Sequence, residues 1–201
     1  MSDDRYKHCY VFIDYGYLKL IAKELNAPKY DINQFAITLS KNEKLWCEQV
    51  YFYTAPPYQS ANPTEDEKIR KANYDKFITH LHRIPTIVVR EGRCQKINNE
   101  FKQKGVDTLL TMDLSDVKGS KIKEIIIITS DTDFVPVLNN LREKDINVIL
   151  YHYTDKIRNS RFSMSNHLSR ACDKQVQLDI THFTRSIKQN KDLLPPFTRS
   201  C

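Results

Sequence analysis

Short hydrophobic runs of strand length alternate along this chain with amphipathic segments of helical length. The pattern predicts strands over residues 10–14, 46–53, 84–90, 123–129 and 146–151, with 176–180 either returning to the sheet or packing on it. It predicts helices over residues 17–25, 33–40, 63–81, 106–117, 131–143 and 165–172, and a polar hairpin or loop over 92–105. Asn62 and Ser165 are the expected N-caps of the third and last helices. Such alternation is typical of an α/β fold, here a three-layer α/β/α arrangement with a mostly parallel central sheet.

The charge distribution separates the C-terminal quarter of the chain from the rest. The first 150 residues carry 22 basic and 21 acidic side chains, whereas the remainder carries nine and four. A length of 201 residues fits one domain with an appendage. We therefore predict a folded domain over residues 1–180 and a peripheral basic tail over 181–201. The tail is either solvated surface or a sequence-independent contact to a polyanion such as nucleic acid.

Composition and motif spacing disfavour several classes of protein. No apolar run approaches the roughly 20 residues of a membrane-spanning helix, so no membrane partner is expected. The acidic start of the chain does not resemble a secretory signal, and the cytoplasm is the expected location. Five cysteines without a CxxC pair disfavour a disulfide framework and a structural zinc site, and Cys9 is expected to be a small buried hydrophobe. The histidines lack the HxxxH and HExxH spacings of zinc hydrolases.

Aspartates follow two of the predicted strands. Asp14 ends the first strand, and Asp131 and Asp133 follow the aliphatic run of residues 125–128, which indicates a central buried strand. In parallel sheets ligands bind beyond the carboxyl ends of the strands, so these side chains converge if the two strands are neighbours. The alternative is that Asp131 or Asp133 is only a helix N-cap.

A further pair of aspartates lies on the helix predicted over residues 106–117. Asp107 begins the helix, where it also suits the helix dipole. Asp113 is six positions later, about 240 degrees around the helix from Asp107, and is expected to brace a neighbour instead. Clustered carboxylates without histidine or thiolate ligands suit Mg²⁺ or Mn²⁺, which points to phosphodiester cleavage.

Four segments, in this order, resemble the NYN family of PIN-like ribonucleases, including its LabA-like branch. They are VFIDYGYL (11–18), QKGVDTLLTMDL (103–114), IIIITSDTDFVPVLNNLREKDINVIL (125–150) and SNHLSRACD (165–173). The resemblance covers most of the chain. It implies a PIN-like fold and a metal-dependent ribonuclease, with endonuclease as the expected class, acting on single-stranded or structured RNA.

The resemblance also assigns roles by position. It implies that Asp14, Asp107, Asp131 and Asp133 are catalytic and hold one or two Mg²⁺ or Mn²⁺ ions. Ser130 and Thr132 are candidates to orient these carboxylates by hydrogen bonds. Many family members have an asparagine three positions after the first aspartate, where this chain has Tyr17. The oligomeric state, monomer or homodimer, stays open.

Basic and aromatic residues near the predicted strand ends are candidate RNA contacts. Cations bind phosphates without selecting bases, and tyrosines either stack on unpaired bases or are half-buried packing. The candidate cations are Arg90, Arg93, Lys96, Lys102, Lys104, Arg158, Arg161, Arg170 and Lys174. The candidate tyrosines are Tyr15, Tyr17, Tyr53 and Tyr58.

Two other functions compete with the ribonuclease. One is a PIN-like RNA-binding or scaffold module that does not cut. The other is a magnesium-dependent phosphatase or a glycosyltransferase, suggested by the DxD string at Asp131 and Asp133. A phosphatase of the haloacid dehalogenase type needs its DxD on the first strand, where only Asp14 occurs, so this alternative fits poorly.

Overall fold

The computed structural model describes residues 6–97, 100–155, 162 and 164–187. Its strands are β1 (Lys7–Asp14), β2 (Leu45–Thr54), β3 (Ile87–Glu91), β4 (Arg93–Ile97), β5 (Glu100–Lys104), β6 (Glu124–Ile128), β7 (Asn147–His152) and β8 (Lys174–Gln177). Within the described residues, six of these strands form one sheet in the order β3-β2-β1-β6-β7-β8, and all its neighbours are parallel. Strands β4 and β5 pair with each other as an antiparallel hairpin.

Helices cover both faces of this sheet. They are α1 (Tyr15–Glu24), α2 (Ile32–Asn42), α3 (Glu65–His82), α4 (Val106–Asp116), α5 (Val135–Arg142), α6 (Asn166–Arg170) and α7 (Ile180–Thr184). None of these described helices has the length and apolar character needed to span a bilayer.

Alternation along the strands divides the core into two layers. In β1, Val11 and Ile13 pack on the side of α1 and α2, whereas Phe12 packs on the side of α4 and α5. In β6, Ile126 and Ile127 divide in the same way. The predicted three-layer α/β/α fold with a mostly parallel sheet is therefore confirmed.

Several predicted boundaries are wrong by two or three residues. Helix α3 begins after Thr64, because the Thr64 hydroxyl accepts from the Glu67 N–H and the Glu67 carboxylate accepts from the Thr64 N–H. Asn62 is therefore not the cap. Strand β3 begins at Ile87, since a turn in which the Ile87 N–H donates to the Ile84 carbonyl precedes it. The helix predicted over 131–143 is a 3-10 turn, Thr132–Phe134, followed by α5.

The hairpin of β4 and β5 begins at Gly92, whose N–H donates to the Thr54 carbonyl at the end of β2 (2.8 Å). A side chain at this position would place its Cβ 2.5 Å from the Lys104 carbonyl and 2.7 Å from a Val106 methyl. Only glycine allows this close approach of the two strand ends. The hairpin is thereby fixed beside the carboxyl ends of β2 and β3.

One carboxylate, Glu124, and one thiol, Cys9, lie at the opposite, amino-terminal end of the sheet. Glu124 is buried and accepts from Lys7 Nζ (3.0 Å) and Asn147 Nδ2 (2.5 Å). Cys9 is buried as predicted, and burial raises the pKa of its thiol to about 12. Cys9, Cys47, Cys94 and Cys172, the cysteines within the described residues, are free thiols.

The described part of the predicted tail, residues 181–187, packs on the domain instead of being peripheral. Phe183 in α7 is fully buried, with its ring centroid 5.0 Å from those of Tyr30 and Phe35. The Ser186 carbonyl accepts from the Asp31 N–H (2.8 Å), which ties the end of α7 to the start of α2. The other residues of the predicted tail, 188–201, lie outside the described residues.

Candidate active site

Asp14 is the last residue of β1 and also the N-cap of α1. Its Oδ1 accepts from the Tyr17 N–H (3.2 Å), so the cap fixes the side chain at the strand-to-helix turn. Gly16 lies directly beside it: a Cβ there would be 3.2 Å from Asp14 Oδ1. Because β1 is central in the sheet, with β2 and β6 as neighbours, Asp14 occupies the middle of the carboxyl edge.

Asp131 lies three residues beyond the end of β6, which pairs directly with β1. The condition for convergence of the carboxylates, that these strands are neighbours, is therefore met. Asp131 Oδ1 accepts from the Asp133 N–H (2.9 Å), so Asp131 caps the 3-10 turn. The N-cap interpretation is thus correct for Asp131, and the cap also orients its carboxylate. Asp133 is exposed beside it.

The hydroxyl that holds this turn belongs to a residue that sequence analysis did not select. Thr129 is fully buried, and its Oγ1 accepts from the Asp131 N–H (3.1 Å). Across the described residues, no hydrogen bond joins the Ser130 or Thr132 side chain to a carboxylate, so the structure gives no support to their predicted role in orienting carboxylates. The sequence signal that could have indicated Thr129 is its position, as a polar β-branched residue directly after an isoleucine run.

Asp107 lies in the first turn of α4, which begins after Gly105. Gly105 has a φ of 84°, a left-handed conformation that favours glycine and turns the chain from β5 into the helix. The helix packs on β2, β3 and α5, and it carries Asp107 toward the ends of β1 and β6.

The charges of these aspartates act on one another. Burial, followed by the charges of Asp107 and Asp131, raises the pKa of Asp14 to about 6, although N–H donors from Tyr17 and Gly16 oppose the shift. Burial also raises the pKa of Asp107, together with the charges of Asp131 and Asp133. Carboxyl groups whose pKa is raised by burial and by neighbouring like charges are typical of functional sites.

The four aspartates are nevertheless not preassembled into a closed ligand shell. Within the described ranges, no three acidic, histidine or cysteine side chains converge closely enough to hold a metal ion. The electrostatic coupling acts over longer distances than coordination bonds, so both observations hold together. Mg²⁺ keeps several waters and is bound by one or two carboxylates plus substrate phosphates. The donor set, which is all carboxylate oxygen, fits such a cation.

Asp113 braces two neighbours on the α4 side of the sheet. Its carboxylate accepts from Arg90 Nε (2.9 Å) and Nη2 (2.7 Å) in a bidentate pair, and from the Tyr53 hydroxyl (2.8 Å). Tyr53 is fully buried, so it does not stack on a base. The Arg90 guanidinium, predicted to contact RNA, is occupied by Asp113.

Tyr17 is also not a base-stacking residue, because only 6% of it is exposed. Its hydroxyl accepts from the Tyr153 N–H (2.9 Å) and donates to the Tyr153 carbonyl (3.2 Å). The side chain therefore joins the first turn of α1 to the chain just after β7. Tyr15 and Tyr58 are only partly buried and keep the predicted position near strand ends.

We expect Tyr17→Phe to lower the free energy of unfolding by about 1 kcal/mol, because the Tyr153 backbone groups lose their partner while the ring stays in place. Denaturant unfolding measures this change. Tyr6→Phe, at an exposed tyrosine, is the matched control and should leave stability unchanged. An equal loss in both variants, or none in either, would contradict the role of the hydroxyl.

The predicted basic residues of the hairpin divide between its two faces. Arg93 pairs with Lys104 and lines a groove beside the start of α4, whereas Cys94 and Gln103 face the opposite side. Lys96, opposite Phe101, shares the face of Gln103, and Lys102 shares that of Arg93. Arg158 and Arg161 lie outside the described residues. Arg170 is the last residue of α6, and Lys174 pairs with Glu43.

Comparison with known proteins agrees with this fold. The NYN domain model matches residues 8–179 of the chain. A crystal structure of a protein of unknown function from Vibrio parahaemolyticus superposes with a TM-score of 0.58 at 16% identity, covering 91% of this chain and 99% of that one. At this identity the likeness shows the fold alone. No curated protein matches the chain.

The mostly parallel six-stranded sheet flanked by helices is an α/β fold consistent with the PIN-like NYN domain. The family match spans most of the sequence, and the chain belongs to the NYN domain family. Members of this family are generally hydrolytic nucleases that bind RNA and use divalent metals. Membership in the LabA-like branch stays a prediction.

Proposed function

We propose that this protein is a metal-dependent ribonuclease that hydrolyses RNA phosphodiester bonds, and that it acts as an endonuclease. The observation that carries the proposal is that Asp14 and Asp131 follow the carboxyl ends of the paired strands β1 and β6, where the charges of Asp107 and Asp131 help to raise the pKa of Asp14. Membership of a nuclease family supports the same conclusion. Mg²⁺ or Mn²⁺ is the proposed cofactor.

The four aspartates have two different proposed roles, which follow from their positions. Asp14 and Asp131 each use Oδ1 to cap a helical turn, which fixes the direction of the carboxylate and leaves Oδ2 for a cation. Asp107 and Asp133, both exposed, complete the negative surface around them. The cation, when bound, would neutralise phosphate charge and activate water for in-line attack.

RNA phosphates would be bound by the hairpin face that carries Arg93 and Lys104. These two residues are cross-strand neighbours and lie next to Gly105, directly before the helix of Asp107. Such contacts position the backbone without selecting sequence. The same face carries Lys102, which is paired with Glu100 (3.5 Å).

The direct test is incubation of the purified full chain with end-labelled single-stranded RNA and matched DNA, in Mn²⁺, in Mg²⁺ and in chelator. A circular RNA in the same series separates endonuclease from exonuclease activity, since it has no ends. We expect metal-dependent cutting of linear and circular RNA.

Asp107→Asn and Asp116→Asn are the matched variants for this assay. Both residues are exposed aspartates of α4, but Asp116 lies nine positions, about 13 Å, further along the helix. Loss of cutting in the first variant alone supports the site. RNA that is bound but intact under every metal condition would favour the non-cutting RNA-binding module.

We expect truncation after residue 187 to weaken RNA binding and reduce its salt dependence, since the removed segment carries Lys188, Lys191 and Arg199. Each lost phosphate contact lowers the slope of log affinity against log salt by about 0.7 for single strands. The truncation keeps Phe183 and Ser186, which pack on the domain. Binding titrations at several salt concentrations measure the slope, and an unchanged slope would show that the tail is only solvated surface.

A further inference from the structure

A pocket of about 460 Å³ opens beside Asp14, between α1, the turn after β2, α3 and the hairpin. Gly16 forms the boundary between the pocket and the acidic cluster. A Cβ at Gly16 would be 3.2 Å from Asp14 Oδ1 and 3.7 Å from Gln103 Oε1. The backbone of a single glycine therefore separates the candidate catalytic carboxylate from an amide of the pocket wall.

Aromatic rings and prolines form the walls of this pocket. The Tyr15 ring is held by Phe52 and Phe77, with centroid distances of 4.7 and 5.6 Å. The Tyr74 hydroxyl donates to Glu91 Oε1 (2.7 Å), which fixes the ring of Tyr74 against the end of β3. Pro56 and Pro57 line the side next to β2. Flat, immobilised walls of this kind suit a planar ring system.

Two kinds of polar side chain line the same pocket: amides in its wall and cations at its solvent-exposed rim. The amides of Asn73 and Gln103 offer both donors and acceptors, which is the pattern that reads the edge of a base. Lys19 and Arg70 also line it, and both are exposed to solvent. Cations at an open rim contact phosphates.

We propose that this pocket binds the base of the nucleotide next to the scissile phosphate of single-stranded RNA. Tyr15 and Tyr74 flank the base, Asn73 and Gln103 select it, and Lys19 and Arg70 bind its phosphates. The inference rests on the proposed ribonuclease function and adds to it a substrate requirement. The base must leave any stack or pair to enter the pocket, so double-stranded RNA is a poor substrate.

The first measurement is kcat/KM for the full-length protein on short RNAs that each lack one base at a different position. Removal of the base that occupies the pocket should reduce kcat/KM by about tenfold, because base stacking on aromatic side chains is lost. Removal of bases elsewhere should change it less than about threefold. A uniform response, with RNA still cut, would overturn the pocket while leaving the ribonuclease intact.

The second measurement compares the four bases at the sensitive position. We expect wild-type protein to prefer some bases, and the double variant Asn73→Ala/Gln103→Ala to lose this preference while still penalising the missing base. Thr79→Ala, exposed on the same helix as Asn73 but outside the pocket, should keep the wild-type preference. Retention of the preference in the double variant would overturn base selection by these amides.

The proposed phosphate contact of Lys19 at the pocket rim is tested by RNA binding in chelator, which does not depend on cutting. Lys19→Met should weaken binding and lower its salt dependence, whereas Lys23→Met, an exposed lysine of the same helix outside the pocket, should not. Equal effects of both variants would overturn the role of Lys19. If no metal condition gives cutting of any RNA, the proposed ribonuclease fails, and the pocket inference fails with it.

Discussion

Asp14→Asn and Asp131→Asn should each reduce RNA cleavage by about 1,000-fold while the protein stays folded. Each substitution removes one negative oxygen donor and nearly preserves side-chain volume. Asparagine is as good an N-cap as aspartate, so the turns that both residues cap should persist. Initial rates with end-labelled RNA in Mn²⁺ measure the loss, and circular dichroism checks the fold.

The Asp14 substitution has a second expected effect, on stability without metal. Because burial and neighbouring charges raise the pKa of Asp14 to about 6 from an ordinary value of 3.8, its ionised form destabilises the folded state. Stability should fall as pH rises through the window from about 4 to 6, and the cost is complete above it. In chelator at pH 7.5, Asp14→Asn should therefore be more stable by on the order of 2 kcal/mol.

A gain in stability in Asp14→Asn indicates relief of charge repulsion at the site, whereas a loss of ordinary packing would destabilise the variant. Near pH 4, where Asp14 is protonated in the folded protein, the two proteins should have similar melting temperatures. Mn²⁺ should raise the melting temperature of the wild type more than that of the variant, since a cation bound to the folded state stabilises it. Full cleavage activity in either asparagine variant would refute the assignment of these two carboxylates.

Asp113→Ala should lower the free energy of unfolding by about 3 kcal/mol, the largest stability effect that we expect for a single side chain. The carboxylate has three hydrogen bonds to Arg90 and Tyr53, and it is only 7% exposed. Its removal leaves the buried Tyr53 hydroxyl without a partner and the half-exposed Arg90 guanidinium without the carboxylate that neutralises it. Burial and Asp113 raise the pKa of Tyr53, so this hydroxyl stays a neutral donor.

Asp116→Ala is the matched control, at an exposed aspartate three positions later on the same helix. It should change stability by less than about 0.5 kcal/mol. Cleavage by Asp113→Ala, measured well below its melting temperature, should stay close to that of the wild type, because Asp113 contacts Arg90 and Tyr53 and not the acidic cluster. A loss of activity without a loss of stability would instead place Asp113 in the catalytic site.

The comparison with the Vibrio parahaemolyticus protein shows that the fold alone does not identify the reaction. The match covers nearly the whole length of that protein at 16% identity, and the function of that protein is unknown. A shared α/β scaffold fits many functions, whereas the site decides the chemistry. The variants of Asp14 and Asp131 therefore test more than any further structural likeness.

Hydrophobic periodicity predicted the sheet well, because strand and helix periods depend only on neighbouring residues. The isoleucine run of β6 is buried on both faces, as its sequence indicated. Boundaries were less well predicted, since they depend on which side chain caps the helix. At α3, Thr64 and Glu67 form a reciprocal cap that competes with the Asn62–Pro63 signal.

The candidate site was predictable only in part. Asp14, Asp107, Asp131 and Asp133 follow strands or begin a helix, and a parallel sheet brings such positions to one edge. Thr129 and the pocket of Gln103 were missed. The hydroxyl of Thr129 acts through a turn whose geometry its sequence does not specify, and Gln103 comes near Gly16 because Gly92 ties the hairpin to the carboxyl end of β2.

The sequence by itself determined the α/β class, the position of each aspartate at a strand end or a helix start, and the family to which the chain belongs. The tertiary structure decided which side chains are available to a substrate. Tyr17 is bound to Tyr153, 136 positions away, and Arg90 is bound to Asp113, 23 positions away. Local patterns report burial and turns, but pairing between distant residues depends on strand order and helix placement, so only the folded chain shows it.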